Sequence, residues 1–170
     1  MQPLVKYNLQ IIADKIYNPN DLVRAIAAWR LKDKKIVFTN GCFDLLHLGH
    51  IDYLSKAADL GDVLIVGVNS DDSVRRLQKA PSRPIQDEKS RSTIIAALHF
   101  VTAVVVFNED TPYELIKHIQ PDVLVKGADY TLDKVVGRDI VETRGGRVEL
   151  INYLEGYSTT RIENKIKLTN

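Results

Sequence analysis

Residues 40–50 read NGCFDLLHLGH, and this segment is more informative about the architecture than any other part of the chain. The apolar run before it, KIVFT at 35–39, predicts a buried strand, and the pattern over 48–60 predicts a helix. Two histidines and two glycines therefore lie where a strand turns into a helix. Free backbone N–H groups and the positive end of the helix dipole attract anions at such a junction.

The motif formed by His47, Gly49 and His50 fits a polyphosphate ligand. The two histidines would offer imidazole donors on the first helical turn, and Gly49 would let a phosphate approach the backbone. A pair of surface histidines or a chance metal pair is the alternative, but the sequence has no further His or Cys cluster to complete a zinc site. Cys42, the only cysteine, lies in the same loop with no obvious base beside it, which disfavours a nucleophilic role.

The length and composition are typical of one globular domain. For this chain of 170 residues, we predict an N-terminal extension over residues 1–34, which contains a helix, and one main domain over residues 35–170. A formal net charge of +1 gives no indication of nucleic-acid binding. The sequence shows no apolar stretch near the roughly 20 residues of a membrane span and no export signal. A single cysteine fits a reducing compartment, so we expect a cytoplasmic protein without membrane or nucleic-acid partners.

Strand and helix patterns alternate along the chain. Near-continuous apolar runs predict strands at 35–39, 62–68, 102–107, 122–126 and 147–151. Helices are predicted at 18–29, 48–60, 72–78, 87–99, 112–119 and 159–168. Asn18 should cap the first helix, and a capping box at 111–114 should begin the fifth, whereas residues 1–17 show no clear pattern. The alternation predicts a doubly wound, Rossmann-like α/β fold with a parallel five-stranded sheet.

Polar and glycine-rich loops lie beyond the predicted strands, where ligands bind in a doubly wound sheet. These loops are residues 40–50, 69–72, 126–130 and 155–160. The hydroxyl groups of residues 158–160 either cap the last helix or form a second cradle, suited to terminal phosphates. The loop at 126–130 either contacts a sugar or a base or makes a simple turn.

A basic segment, SVRRLQKAPSRP at 73–84, lies between these loops. It is either a solvated surface or a cationic flap over the phosphate site. If it is a flap, Arg76 or Lys79 would bring the two anionic substrates together. Arg91, in the helix after this segment, either reaches the triphosphate or pairs with Asp87 or Glu88 on the surface.

The motifs HLGH at 47–50 and STTRI at 158–162 resemble those of the cytidylyltransferase-like nucleotidyltransferase superfamily. Over roughly residues 18–168, the chain more narrowly resembles the D-glycero-β-D-manno-heptose 1-phosphate adenylyltransferases. The segments that carry this narrower resemblance are 39–47, 68–71, 76–77, 82–84, 124–130 and 158–160. In many bacteria that activity is the C-terminal half of a bifunctional kinase–adenylyltransferase. The lack of a sugar-kinase domain here implies a stand-alone form, supplied by a separate kinase and phosphatase.

The resemblance implies transfer of AMP from ATP to the heptose 1-phosphate, giving ADP-heptose and pyrophosphate. Mg²⁺ would be carried on the triphosphate, with no direct side-chain ligands, and a homo-oligomer is expected. The residues predicted to be catalytic are His47, His50, Lys79 and Arg76. The residues predicted to bind the nucleotide are Asn40, Gly41, Phe43, Gly49, Arg91, Lys126, Gly127, Tyr157, Ser158, Thr159 and Thr160. The residues predicted to bind the sugar phosphate are Asp44, Asn69, Asp71 and Asp129. Asp44 is expected to orient the site or to bind substrate rather than to act as a base.

Three alternatives stay open at this point. One is a glycerol 3-phosphate-type cytidylyltransferase, although those enzymes carry an Arg shortly before the Ser-Thr-Thr segment and residues 152–156 (NYLEG) contain none. Another is a non-catalytic nucleotide-binding regulatory module, which would not need both His47 and His50. The third is a non-catalytic assembly subunit that uses the helix at 18–30 as its contact surface.

Overall fold

One parallel sheet organises the part of the chain that the computed structural model describes, residues 7–77 and 83–168. Its strands are β1 (Ile16–Tyr17), β2 (Ile36–Gly41), β3 (Val63–Asn69), β4 (Ala103–Phe107), β5 (Val123–Gly127) and β6 (Arg147–Ile151). They lie in the order β1-β4-β3-β2-β5-β6, and every neighbouring pair is parallel. The predicted doubly wound α/β fold is confirmed, and the five predicted strands are all present.

The sheet has a sixth strand that the sequence analysis missed. Strand β1 is only two residues long and pairs with the edge of β4 through Ile16 with Val104 and Tyr17 with Val105. Two residues are too short to display an alternating or continuous apolar pattern, so the predicted count of five strands was wrong.

The helices among the described residues include the six that were predicted, with their ends shifted by at most three residues. They are α1 (Asn8–Ala13), α2 (Pro19–Arg30), α3 (Leu48–Ala58), α4 (Asp71–Arg76), α5 (Glu88–Ala96), α6 (Tyr113–Ile119), α7 (Arg138–Thr143) and α8 (Thr159–Lys167). The short helices α1 and α7, and a 3-10 helix at Leu132–Lys134, were not predicted. In the ranges 7–77 and 83–168, no helix is long and apolar enough to cross a membrane.

The two predicted helix caps have different outcomes. Asn18 caps α2 as predicted, because its Oδ1 accepts the N–H of Asp21 at 3.0 Å. The capping box at 111–114 is wrong: α6 begins at Tyr113, Pro112 is its N-cap residue, and no side chain caps it. The helix starts one residue later than predicted, so Thr111 lies outside the first turn.

Side chains from the strands pack into two hydrophobic clusters, one on each face of the sheet, because successive residues of a strand point to opposite faces. Phe38 of β2 packs in one cluster, together with Ile65 and Ile116. The preceding residue, Val37, packs in the other cluster with Leu54. Helices cover both faces of the sheet, which explains why its central strands are apolar throughout rather than alternating.

The segment before β2 belongs to the same packed structure. Leu22 and Ile26 of α2 are buried in the cluster that contains Phe38, and β1 extends the sheet. Residues 7–34 therefore contribute an edge strand and core side chains to the sheet formed by the rest of the chain. The division of the chain at residue 34 stays a prediction.

The strand order places the ligand-binding edge of the sheet beside β2. From β2 the chain proceeds through β3 to β4 on one side, then crosses to β5 and β6 on the other side. The carboxyl ends of β2, β3 and β5 consequently border the point at which the topology reverses. In doubly wound sheets, ligands bind in the crevice at that point.

Candidate active site

A cleft of about 350 Å³ opens at the carboxyl ends of β2, β3 and β5. Ten of the predicted site residues line it: Asn40, Gly41, Phe43, Asp44, His50, Asn69, Lys126, Gly127, Asp129 and Thr159. Polar residues outside the predicted set of site residues line it as well, among them Tyr53, Arg83, Asp110 and Tyr153. Loops that are distant in sequence thus converge where the topology predicts a ligand.

A second hollow, of about 440 Å³, lies between the His47 side and the N-terminal end of α8. His47, Tyr157 and Ser158 line it, together with Arg161 and Lys165. His50 lines the main cleft, so the histidine pair forms the border between the two spaces. The predicted phosphate cradles at 47–50 and 158–160 therefore line hollows that lie on either side of the histidine pair.

The two histidines are stacked at the beginning of α3. His47 is the N-cap residue, and the ring centroids of His47 and His50 lie 3.8 Å apart with an interplanar angle of 20°. Among the described residues, the Nδ1 atoms of both rings are buried and have no hydrogen-bond partner. Leaving such atoms unpaired is costly, so these nitrogens are candidates for hydrogen bonds with a ligand.

Burial keeps both imidazoles neutral at physiological pH. It lowers the pKa of His47 below its ordinary value. Burial and the neighbouring His47 together lower the pKa of His50 to about 4. A neutral imidazole still carries one N–H, so each ring can donate a hydrogen bond to a phosphate oxygen.

Phe43 and the two glycines set the shape of the histidine loop. The Phe43 ring makes an edge contact with His50 at 5.4 Å, and Phe43 itself adopts φ 49°. A Cβ on Gly41 would lie 3.1 Å from that ring. A Cβ on Gly49 would lie 3.1 Å from Nδ1 of His47 and 3.2 Å from Cβ of Tyr157. A side chain at position 49 would therefore crowd His47 and Tyr157, and the approach of a phosphate to the Gly49 backbone stays a prediction.

Asp44 ties the histidine loop to the segment before α5. Its carboxylate is 3% exposed and accepts the backbone N–H of Ile85 at 2.8 Å and that of Gln86 at 2.9 Å. These bonds fit the orienting role expected for Asp44, and because Asp44 also lines the cleft, its role in substrate binding stays a prediction.

Arg91 is a buried support of the same loop. Its side chain is 0% exposed, and its guanidinium donates to the carbonyl oxygens of Cys42 at 2.7 Å and Gln86 at 3.0 Å. It also forms an ion pair with Asp71 at 2.7 Å. Both expectations for Arg91, contact with the triphosphate and a surface pair with Asp87 or Glu88, are therefore wrong. The Asp71 carboxylate pairs with Arg91 through Oδ1 and does not line the cleft, so the substrate-binding role of Asp71 stays a prediction.

The other two predicted polar positions near β3 are Asn69 and Arg76. Asn69 lines the cleft, and its Nδ2 donates to Oγ of Ser73 at 2.9 Å. Arg76 lies at the end of α4, where its Nε pairs with Asp110 at 2.6 Å and Nη2 donates to the carbonyl of Asn108. Asp110 lines the cleft, so Arg76 borders the site through its partner. Lys79 lies outside the described residues, and its catalytic role stays a prediction.

A buried lysine marks the end of β5. Lys126 is 7% exposed, and its Nζ donates to Oδ1 of Asn40 at the end of β2. Burial lowers the pKa of Lys126 to about 8, although Asp129 opposes the shift. An ammonium has three donors, so Lys126 retains N–H groups for a ligand in the cleft.

Tyr153 covers the end of β5 and requires the glycine there. A Cβ on Gly127 would lie 2.0 Å from the Tyr153 hydroxyl oxygen, so only glycine admits this arrangement. Burial and the adjacent Asp129 raise the pKa of Tyr153 to about 12. The Tyr153 ring also packs 5.8 Å from that of Tyr53, whose hydroxyl bonds Oγ1 of Thr39 at 2.8 Å. In the sequence, the only indication that Tyr153 belongs to the site was its position just after β6. The sequence does not show that β6 pairs with β5, so this indication could not be used.

Ser158 is the N-cap of α8, because its Oγ accepts the N–H of Arg161 at 3.1 Å. Thr159 and Thr160 form the first turn of the helix, and Thr159 reaches the main cleft. The hydroxyl triplet thus caps the helix, which was one of its two expected roles. Its phosphate-binding role, and that of Tyr157, stays a prediction.

Together, the parallel sheet and the histidine pair at its switch point define a nucleotide-binding α/β protein. The model of the cytidylyltransferase-like family matches residues 38–165, and the chain belongs to this family.

The chain is also similar to proteins named bifunctional protein HldE. It is 56% identical to that of Citrifermentans bemidjiense over 89% of this chain and 31% of the relative. It is 60% identical to that of Campylobacter jejuni subsp. doylei over 80% of this chain and 28% of the relative. The chain therefore spans about a third of the length of these relatives.

Two solved structures resemble the fold. The lipopolysaccharide core biosynthesis protein from Thermoplasma volcanium is 31% identical, with a TM-score of 0.60, over 74% of this chain and 99% of that chain. Pantoate-beta-alanine ligase from Francisella tularensis is 18% identical, with a TM-score of 0.58, over 90% of this chain and 77% of that chain. The second likeness concerns the fold alone.

Proposed function

We propose that this chain transfers AMP from ATP to D-glycero-β-D-manno-heptose 1-phosphate, giving ADP-heptose and pyrophosphate. The observation that carries the proposal is the stacked, neutral histidine pair between two hollows, with buried ring nitrogens that lack a partner among the described residues. Similarity to the HldE proteins over 89% of this chain supports the choice of reaction.

In this reaction a phosphate oxygen of the sugar phosphate attacks the α-phosphorus of ATP. The bond from the α-phosphorus to the bridging oxygen breaks, and pyrophosphate leaves with the electron pair. The attacking oxygen is already ionised, so no general base is needed. Catalysis then consists of holding two anions together and stabilising the charge that develops on the phosphate oxygens.

His47 and His50 supply that stabilisation. Their neutral rings donate N–H groups toward the α- and β-phosphates, at the N-terminus of α3, where the helix dipole adds to the effect. Both donors are fixed before the substrates arrive, because the rings stack on each other and His50 also contacts Phe43. Preorganised donors of this kind are effective because they require no reorganisation during the reaction.

The other residues bind the substrates. Lys126 retains donors for an acceptor in the cleft, and Asp129 and Asn69 offer groups suited to sugar hydroxyls. Thr159 and Thr160 would hold the terminal phosphates at the beginning of α8.

Magnesium would enter the site with the nucleotide. Across residues 7–77 and 83–168, no group of three or more His, Cys, Asp or Glu side chains lies close enough to hold a metal ion. An Mg²⁺ ion carried on the triphosphate would help to neutralise the leaving pyrophosphate. We also infer a cytoplasmic homo-oligomer whose sugar phosphate is made by a separate kinase and phosphatase.

The proposal is tested by replacing each histidine. His47→Ala and His50→Ala should each lower kcat by about a hundredfold or more, the usual effect of removing a preorganised donor. Pyrophosphate release from ATP and heptose 1-phosphate measures the rate, and circular dichroism checks that the variants fold. His118→Ala, which changes an exposed histidine on α6, is the control and should retain full activity. Near wild-type kcat in both cleft variants would contradict the assignment.

A further inference from the structure

Arg83 lies in the wall of the cleft and is held there by the last helix. Its Nε and Nη2 atoms lie 3.0 and 2.9 Å from Oε1 of Glu163 on α8. The side chains of Arg83 and Glu163 are only 14% and 17% exposed. Both donors converge on one oxygen, which leaves Nη1 of Arg83 outside this ion pair.

The ion pair brings Arg83 close to the start of α8. Glu163 is four residues after Thr159, so the two lie on the same face of the helix, one turn apart. Thr159 lines the same cleft as Arg83. The guanidinium is therefore fixed near the hydroxyls and backbone N–H groups to which the proposed function assigns the terminal phosphates.

The charges of the cleft give Arg83 a specific use. The charged residues in its wall are Asp44, Arg83, Asp110, Lys126 and Asp129. Two of these residues are cations. Lys126 donates to Asn40 at the end of β2, whereas Arg83 is fixed to Glu163 on α8. A guanidinium carries a permanent positive charge and offers a planar fork of N–H donors that matches two phosphate oxygens.

We propose that Arg83 binds the β- and γ-phosphates of the nucleotide, and that Glu163 is the positioning residue that aims it. This inference rests on the proposed function, because it takes a nucleoside triphosphate as the ligand. It adds a cation to the phosphate site, and this cation comes from the basic segment at 73–84 that the sequence analysis considered as a flap.

Inorganic pyrophosphate is the suitable probe, because it is the leaving group whichever sugar is the acceptor. Its binding should be measured by calorimetry in the wild type, in Arg83→Gln, in Glu163→Gln and in the charge-swap variant R83E/E163R. Arg83→Gln should weaken binding by about tenfold to a hundredfold, as expected when a charged hydrogen bond is lost. Glu163→Gln keeps the cation without its anchor, so the loss should be smaller, about threefold to tenfold.

The charge swap separates phosphate binding from a purely structural ion pair. The swap restores an ion pair between the segment at residue 83 and α8, so the melting temperature should recover toward that of the wild type. Pyrophosphate binding should not recover, because a carboxylate then faces the phosphates. Recovery of both properties in the swap would overturn the proposal, as would wild-type binding by Arg83→Gln.

Two further measurements keep the test decisive. If the swap fails to fold, Arg83→Lys preserves the charge but not the fork and should weaken pyrophosphate binding at least about threefold; unchanged binding would overturn the proposal. Arg138→Gln removes an exposed arginine that pairs with Glu142 on α7, and it should bind pyrophosphate like the wild type. If the wild type binds pyrophosphate through Arg83 but no sugar phosphate is adenylylated, the proposed function fails and this inference stands.

Discussion

Replacing His50 by glutamine should remove a pH dependence of stability that the wild type shows below pH 7. The pKa of His50 is lowered by burial and by His47 from 6.5 to about 4 in the folded protein. As the pH falls, the unfolded chain therefore takes up the proton first, and the free energy of unfolding decreases. The decrease begins near pH 7 and levels off below about pH 4.

The size of the effect follows from the two pKa values. With a pKa of 6.5 in the unfolded chain and about 4 in the folded protein, the free energy of unfolding should fall by about 2 kcal/mol from pH 7.5 to pH 5. This is an upper figure, because the ring keeps some contact with solvent. Urea unfolding monitored through Trp29, the only tryptophan, measures the free energy at both pH values. Between these pH values, the free energy of unfolding of His50→Gln should fall by less than that of the wild type, and the difference should be up to about 2 kcal/mol. The control His118→Gln should show the same fall as the wild type. Equal losses in the wild type and in His50→Gln would refute the reasoning.

Two other predictions concern the end of β5. Gly127→Ala places a Cβ 2.0 Å from the Tyr153 hydroxyl oxygen, so Tyr153 must move and the free energy of unfolding should fall by about 1–3 kcal/mol. Unfolding titrations measure this fall, and the double variant Gly127→Ala/Tyr153→Ser should regain part of it. The Lys126 ammonium is lost as the pH rises through about 8, so kcat/KM of the wild type should decrease above pH 8. In Lys126→Arg the positive charge persists, so kcat/KM of this variant should stay constant up to pH 9. The same decrease in kcat/KM in both proteins would show that Lys126 does not bind the substrate.

The parts of the fold that could be predicted from the sequence are those with a local pattern. Strand β3 is an uninterrupted apolar run that ends in a polar loop, and the histidine motif follows β2 directly. Asn18 was predicted as a cap because capping depends on neighbours three residues away. Strand β1 has only two residues, and its pairing partner is almost 90 residues later in the chain.

The roles of individual polar side chains could not be predicted, because they depend on partners that the tertiary structure supplies. Arg91 was expected near a triphosphate or on the surface, yet it donates to the carbonyl of Cys42, 49 residues earlier. Asp44 was expected to orient the site or to bind substrate, and the structure supplies the partners for the first role, the backbone N–H groups of Ile85 and Gln86. Basic and acidic residues near a motif identify the region of the site, but only packing distinguishes residues that face the ligand from residues that support the loop.

The most direct test of the proposed activity is a comparison of substrates with the wild-type protein. Pyrophosphate release should be measured for ATP, CTP and GTP, each with D-glycero-β-D-manno-heptose 1-phosphate and with glycerol 3-phosphate, and the products should be identified by mass spectrometry. We predict turnover with ATP and the heptose 1-phosphate, with a product of the mass of ADP-heptose. Release from CTP and glycerol 3-phosphate, with no reaction from ATP and the heptose 1-phosphate, would contradict the proposal and identify a cytidylyltransferase instead.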